Sequence, residues 1–338
     1  MDKKVNIYTL NGYANYGNRL QLFALARVIK ELGWEPKVYW PKSIKWQIKD
    51  TLKRKTPLAF SFPKERKLSK FTKKYIPKST TRRAGVSVVG SDQVWNPKYL
   101  EPRQYLLNVP DDSVKISYAA SIGMESFNES QQKMFAKALE NYKAISVREQ
   151  SAKEILQPLV SDKKVEVVLD PTLLIDASTY KSLEKKPKDI DEDEKYILCY
   201  ILGNRDHQSV IDKYAKENGY KIVIFSDKHD SSYGVEEFLY LIHHAGLICT
   251  DSFHACVFSF IFERPFVAFK RTGKENYMYT RLQNLLNIFK LKNREYNGKE
   301  ITKDNLIVDY AGAKKILAKE QERSRDFLKR SLEVDNEA

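Results

Sequence analysis

Apolar residues arrive in this chain in short bursts separated by polar turns, and the bursts alternate between two periods. Val5 to Leu10 is a nearly continuous apolar run, as in a strand buried on both faces. Arg19 to Leu32 then carries Leu20, Phe23, Ala24, Val28 and Leu32 at helical spacing and is stopped by Gly33. Glu35 to Trp40 returns as a strand, which makes a βαβ start. The residues between, 11–18, predict a loop without GxGxxG, where Gly17 among asparagines suits a tight turn near a polar ligand, or merely a turn. The alternation resumes with strands at Val86–Gly90, Val114–Ala119, Ala144–Val147 and Val165–Leu169, and helices near 128–141 and 150–157. Asp170-Pro171 marks a boundary, because proline restricts the residue before it. Beyond a charged loop, a second set of strands follows at Tyr196–Leu202, Tyr220–Phe225, Gly246–Cys249 and Pro265–Phe269, with helices near 206–218, 235–245 and 252–262. The pattern predicts an α/β protein of two Rossmann-like domains, 1–170 and 171–310, facing across a cleft. Residues 311–338 hold a last helix able to cross back to the first domain, and a tail.

Polar residues that directly follow buried strands sit at the carboxyl edge of a parallel sheet, where α/β proteins bind ligands. That rule gathers Asn15, Asp92 and Arg148 at one edge. A salt bridge from Arg148 to Glu149 or another carboxylate is the plainer alternative for that arginine. In the second half, Thr250-Asp251-Ser252 offers a helix N-cap and places His254 in the first turn, where free N–H groups attract anions. An imidazole there could donate to a phosphate or carboxylate; equally, it could be a satisfied interior histidine.

Composition bounds this picture. The chain has 338 residues, 42% of them hydrophobic and 12% aromatic, enough for two cores. No apolar run approaches a membrane span, and the start, Met1-Asp2-Lys3-Lys4, does not read as a signal peptide, so a cytoplasmic location is expected. Cys199, Cys249 and Cys256 lack CxxC spacing and read as reduced core thiols. No metal-ligand cluster is legible, and His243-His244 reads as a helix end. The net charge of +14 is concentrated: residues 42–83 hold 15 Lys or Arg against two acids, Asp50 and Glu65. Ile44, Trp46, Ile48, Leu52, Phe60, Phe62, Leu68, Phe71, Tyr75 and Ile76 are interleaved there. Such a segment is either a solvated helical excursion packed on its domain or a surface for an anionic bilayer, on the inner face of the cell membrane. No nucleic-acid motif accompanies the charge, so nucleic acid is not an expected partner.

Several of these stretches resemble the polysaccharide pyruvyl transferase family: Asn15-Tyr16-Gly17-Asn18-Arg19-Leu20-Gln21, Val89 to Asn96, Ile145-Ser146-Val147-Arg148-Glu149, Leu169-Asp170-Pro171-Thr172-Leu173, Asp251 to Ala255, and Tyr279 to Leu286. They run in family order through most of the chain. The resemblance implies a GT-B-like fold and transfer of a pyruvyl group from phosphoenolpyruvate, a co-substrate with no further cofactor and no metal, to two hydroxyls of a sugar. The acceptor would be a bacterial surface polysaccharide or its lipid-linked precursor, and the product a ketal. Some members carry an arginine where this chain has Ser252, which leaves Arg148 and Arg281 to hold the donor's charge beside Ser252 and His254. On this reading His254, charged near neutral pH beside an anionic donor, is the acid or phosphate clamp and Asp92 the base. Asn15, Gly17, Asn18, Gln21, Ser91 and Gln93 would bind the acceptor. The first domain would be the acceptor side and the second the donor side. The competing readings are a GT-B glycosyltransferase using a nucleotide sugar, and a binding partner in polysaccharide assembly.

Overall fold

The computed structural model describes residues 3–13, 15–40, 63–82, 84–97, 109–110, 112–191, 194–225, 233–272 and 279–333. Among the described residues eleven strands lie in two sheets, and the pairings within them are parallel. The first sheet contains β1 (Lys4–Tyr8), β2 (Glu35–Tyr39), β3 (Lys78–Ser79), β4 (Val86–Asp92), β5 (Val114–Ala120), β6 (Tyr142–Val147) and β7 (Val165–Val167), in the order β3-β2-β1-β4-β5-β6-β7. The second contains β8 (Tyr196–Tyr200), β9 (Lys221–Ile224), β10 (Leu247–Thr250) and β11 (Phe266–Ala268), in the order β11-β10-β8-β9. β4 is buried at all seven of its positions, which is why its sequence reads as an unbroken apolar and small-residue run.

The helices among the described residues are α1 (Tyr16–Glu31), α2 (Pro63–Tyr75), α3 (Glu129–Leu139), α4 (Gln150–Leu156), α5 (Ala177–Lys181), α6 (Gln208–Asn218), α7 (Val235–His244), α8 (Phe253–Ile261), α9 (Tyr279–Ile288) and α10 (Ala311–Leu332). α10 returns to the first sheet. Its Ser324 hydroxyl accepts from the Leu169 N–H at 3.0 Å, and its Phe327 ring lies 6.4 Å from that of Tyr118 on β5. Two parallel α/β sheets with a returning C-terminal helix make a GT-B-like arrangement.

Each half has a cluster of its own, around Val89 and Ile145 in the first and Ile197 and Cys249 in the second, and a further cluster joins the two. Tyr16, at the start of α1, stacks on Phe238 of α7 at 5.5 Å, meets Phe225 edge-on at 4.8 Å, and donates its hydroxyl to the Tyr233 carbonyl. One apolar cluster therefore runs from Val5 and Leu20 to Phe238 and Phe258. This contact fixes the start of α1 against the second sheet's helices. The three cysteines are free and buried, as their apolar neighbours imply.

Two local expectations change. The loop expected over 11–18 ends early, because the Asn15 side chain accepts from the Asn18 N–H at 2.8 Å and starts α1 at Tyr16. Gly17 and Asn18 are therefore helical, and Gly17 does not serve a turn. The basic excursion also changes where it is described. Leu68, Phe71 and Ile76 are buried, and Phe71 packs against Phe23 of α1 at 6.2 Å, so this apolar face is already used and is not offered to a bilayer. Lys67 pairs with Glu237 of α7 at 2.6 Å and ties α2 to the second half. Ile44, Trp46, Ile48, Leu52, Phe60 and Phe62 lie outside the described residues.

Candidate functional site

Three strand ends and one helix start converge. β4 ends at Asp92, β6 is followed at once by Arg148, and the chain leaving β7 reaches Asp170, while α8 begins beside them with His254 in its first turn. Arg148 Nη1 donates to Asp170 Oδ2 at 2.6 Å, and its Nη2 lies 3.7 Å from Asp92 Oδ1. His254 Nε2 is 3.8 Å from Asp170 Oδ2. Asn18, one turn into α1, donates to Asp92 Oδ2 at 2.9 Å. The Phe253 ring lies under the Arg148 guanidinium, 4.5 Å from its centre. Sequence order says little about this grouping; the parallel topology produces it.

Each carboxylate here is held, but the cationic and imidazole groups are not fully used. Asp170 also accepts from the Thr172 N–H and hydroxyl at 3.0 and 2.7 Å. Glu149 Oε1 accepts from the Ser121 hydroxyl and from the N–H groups of Ile122 and Gly123, while its Oε2 has no hydrogen bond. By contrast, buried Nε and Nη2 of Arg148 and Nε2 of His254 have no hydrogen-bond partner. Buried polar nitrogens without hydrogen bonds are costly, and their occurrence together makes this the candidate ligand site.

Burial pushes the Asp92 carboxyl up, but Arg148, His254, Arg281 and the Asn18 hydrogen bond together outweigh it and hold it below the usual range. Asp170 is lowered in the same way, with Arg148 and His254 overcoming burial. Burial lowers His254, and the pull of Asp170 and Asp92 does not restore it against Arg148 and Arg281. Without a donor beside it, the surroundings of His254 thus favour the neutral imidazole. Arg281 is pushed down to about 10 by burial and then by Arg148, and stays charged at neutral pH. Two buried guanidinium groups near enough to repel one another favour an anion beside them.

The other residues singled out in the sequence lie nearby with structural tasks. Ser252 caps α8, accepting from the Ala255 N–H. Asn15 caps α1. Gln21 donates to Thr9, and the Ser91 hydroxyl to the Ala119 carbonyl, both within the buried sheet edge. Gln93 Oε1 accepts from Asn96 at 2.6 Å. Arg281 and Asn284 lie on α9, and Asn284 donates to the Arg148 carbonyl at 3.2 Å. From sequence Asp170 reads as a junction, Glu149 as a salt-bridge partner and Phe253 as no site residue; the structure places all three around Arg148. The signal for Asp170 was present in its position directly after a strand.

Gly17 packs face to face with the histidine. A methyl group at that position would stand 2.1 Å from His254 Nδ1 and 2.2 Å from its Cγ, well inside contact distance. Gly17→Ala is expected to keep α1, since alanine favours helix, but to displace the imidazole and lower turnover by about 10²-fold. Kinetics on the folded variant check this; unchanged turnover would mean the close approach is not functional.

A family model described as polysaccharide pyruvyl transferase matches residues 15–272. No curated protein matches the chain significantly. Among solved structures, a functionally uncharacterized protein of Klebsiella pneumoniae is similar at TM-score 0.45 and 10% identity, over 84% of this chain and 90% of that one. UDP-GlcNAc 2-epimerase of Neisseria meningitidis, bound to UDP-GlcNAc, is similar at TM-score 0.47 and 12% identity, over 95% and 99%. The spinosyn forosaminyltransferase SpnP is similar at TM-score 0.36 and 12% identity, over 97% and 94%.

Proposed function

The chain belongs to the polysaccharide pyruvyl transferase family, and from that premise we propose that it moves the pyruvyl group of phosphoenolpyruvate onto two hydroxyls of one sugar, forming a ketal. The observation that carries the reading is the set of buried nitrogens without a hydrogen bond, Arg148 Nε and Nη2 and His254 Nε2, next to Arg281 and beside Asp92. Phosphoenolpyruvate brings a phosphate and a carboxylate, and planar guanidinium groups match both.

The site also holds Asp92, Glu149 and Asp170, so its fixed charge is not an excess of positive. An anionic donor arriving there raises the proton affinity of His254 and Asp92, and the donor binds with uptake of a proton. That proton is what the chemistry needs. Protonation of the enol carbon C3 gives an oxocarbenium-like centre at C2, which one sugar hydroxyl attacks. The C2–O bond to phosphate then breaks and the second hydroxyl closes the ring. Of the two hydroxyl protons, one replaces the proton delivered to C3 and the other leaves with phosphate. His254 serves as the acid in its donor-bound, protonated form, and Asp92 accepts the hydroxyl proton.

In this proposal the first sheet, with Asn18 and Gln93 at its edge, takes the acceptor, and α8 and α9 complete the donor side. The acceptor belongs to a surface polysaccharide or its lipid-linked precursor. The exposed basic face of α2, Arg66, Lys70, Lys73 and Lys74, suits an anionic membrane surface by charge alone. Among the described residues no helix is long and apolar enough to cross a membrane.

The test is thermal unfolding with phosphoenolpyruvate and, in parallel, nucleotide sugars. A ligand that binds only the native state raises the midpoint. Phosphoenolpyruvate is expected to raise it in the wild type and not in Arg148→Lys, which keeps the charge for Asp170 but loses the planar fork. A shift with a nucleotide sugar and none with phosphoenolpyruvate would replace this reading by glycosyl transfer.

A further inference from the structure

A second group of ligand-type side chains lies where α7 ends. His243 and His244 are its last residues, and Glu184, beyond the end of α5 and 60 residues from His244 in sequence, reaches both. His243 Nδ1 stands 2.9 Å from Glu184 Oε1, and His244 Nε2 stands 3.2 Å from Glu184 Oε2. Their ligand atoms all lie within 4.8 Å of one another. From sequence the two histidines read as a helix end, because nothing in the local pattern announces the carboxylate that folding brings to them.

Hydrogen bonding does not account for the His243 contact. Its Nδ1 and Glu184 Oε1 are both buried and, although 2.9 Å apart, neither has a hydrogen-bond partner, so the ring does not aim its nitrogen at that oxygen. Donor atoms held by a shared tetrahedral ion at about 2.0–2.1 Å stand roughly 3.3 Å apart and aim at the ion instead of at each other. That spacing is close to the 2.9 and 3.2 Å at Glu184 and explains the failed alignment at His243, while His244 Nε2 keeps hydrogen-bond geometry to Glu184 Oε2 until an ion displaces it.

The rings are held in place from behind. Tyr240 stacks on His244 at 4.1 Å, and Phe262 lies 4.8 Å from His243. Such packing limits the rearrangement needed to bind an ion. Lys181 and Arg264 are near enough to oppose a cation electrostatically, and their effect is to weaken the site without removing its donors.

We infer that Glu184, His243 and His244 form a site for one divalent transition ion, with two imidazole nitrogens, one carboxylate and a fourth position open to water. The donor set suits zinc best and does not suit magnesium or calcium, which demand oxygen ligands. The ion would clip the chain after α5 to the end of α7. This is at the far end of α8 from His254, so the effect is on stability and not on the pyruvyl-transfer chemistry.

Chelator-treated protein titrated with zinc chloride in a calorimeter, and with cobalt chloride in a visible spectrometer, tests the site. One ion per chain is expected, with absorption bands of low-coordinate cobalt and a higher melting temperature under zinc. Glu184→Gln and His244→Gln should each weaken zinc binding by at least about 100-fold. His244 is 42% exposed, so its variant is expected to fold even if the Glu184 variant does not. Absence of a one-to-one step, or binding unchanged in the folded His244 variant, would overturn the proposal. The phosphoenolpyruvate-induced shift reports the other site and is expected to survive both substitutions.

Discussion

Arg148→Ala is expected to unfold at markedly lower urea concentration than the wild type, with a loss of about 3–5 kcal/mol. The reason is what the arginine leaves behind. Asp170 is fully enclosed and Asp92 nearly so, and Arg148 is the largest of the influences that keep both ionised in spite of burial. Without it, the two carboxylates must either stay charged in an apolar setting or take up protons at neutral pH, and both are costly. A total stability of about 5–15 kcal/mol is common, so the loss is a large fraction of what holds the fold. This departs from the simple expectation that a donor-binding arginine can be removed with the fold intact. Arg148→Lys separates the two roles: a lysine ammonium can still pair with Asp170, while turnover falls by at least about 10²-fold because the fork is gone. Equal stability of the alanine variant and the wild type would mean that the Asp170 contact contributes nothing.

The ease with which the strands and helices are read from the sequence has a physical basis. Buried parallel strands such as Val86–Val89 admit only apolar and small residues, and helices such as α6 end on a left-handed glycine, Gly219, so period and stop signals are sharp. Asp92, Arg148 and His254 could be singled out because each follows a strand directly or opens a helix. Their mutual arrangement could not. Asp170 binds Arg148 across 22 residues and lies beside His254 through the packing of α8, and periodicity carries no record of such tertiary contacts. Gly17 illustrates the same limit. From sequence it reads as a turn residue, yet its backbone is helical and its importance is the space it leaves for an imidazole more than two hundred residues away. The basic excursion was legible as charge, but whether Phe71 faces a membrane or Phe23 is decided by packing.

His254→Gln is expected to lower turnover by about 10²-fold or more while removing little stability at pH 7, and its effect on stability should change with pH in a defined direction. In the free protein burial is the largest influence on the imidazole, and its pKa is lowered from the unfolded value of 6.5. Below that value the unfolded chain binds a proton that the folded protein does not. The neutral imidazole's contribution is therefore complete above pH 6.5 and is lost as pH falls through the folded pKa. Asp92 and Asp170, both lowered, lose their contributions only further down, as pH falls below the usual carboxylate range. Wild type should accordingly lose stability on acidification through His254 first and through the two carboxylates further down, and His254→Gln should lack the His254 share of that loss. His243 and His244 titrate alike in both proteins and cancel in the difference. Urea midpoints of the two proteins at pH 7 and near pH 5.5 measure it: the advantage of wild type should shrink, or reverse, at the lower pH. The same proton links stability to catalysis, because donor binding with proton uptake requires KM for phosphoenolpyruvate to rise with pH in wild type and to lose that dependence in the variant. A pH-independent gap in stability together with an unchanged KM profile would take His254 out of the proton path and leave Asp92 as the acid.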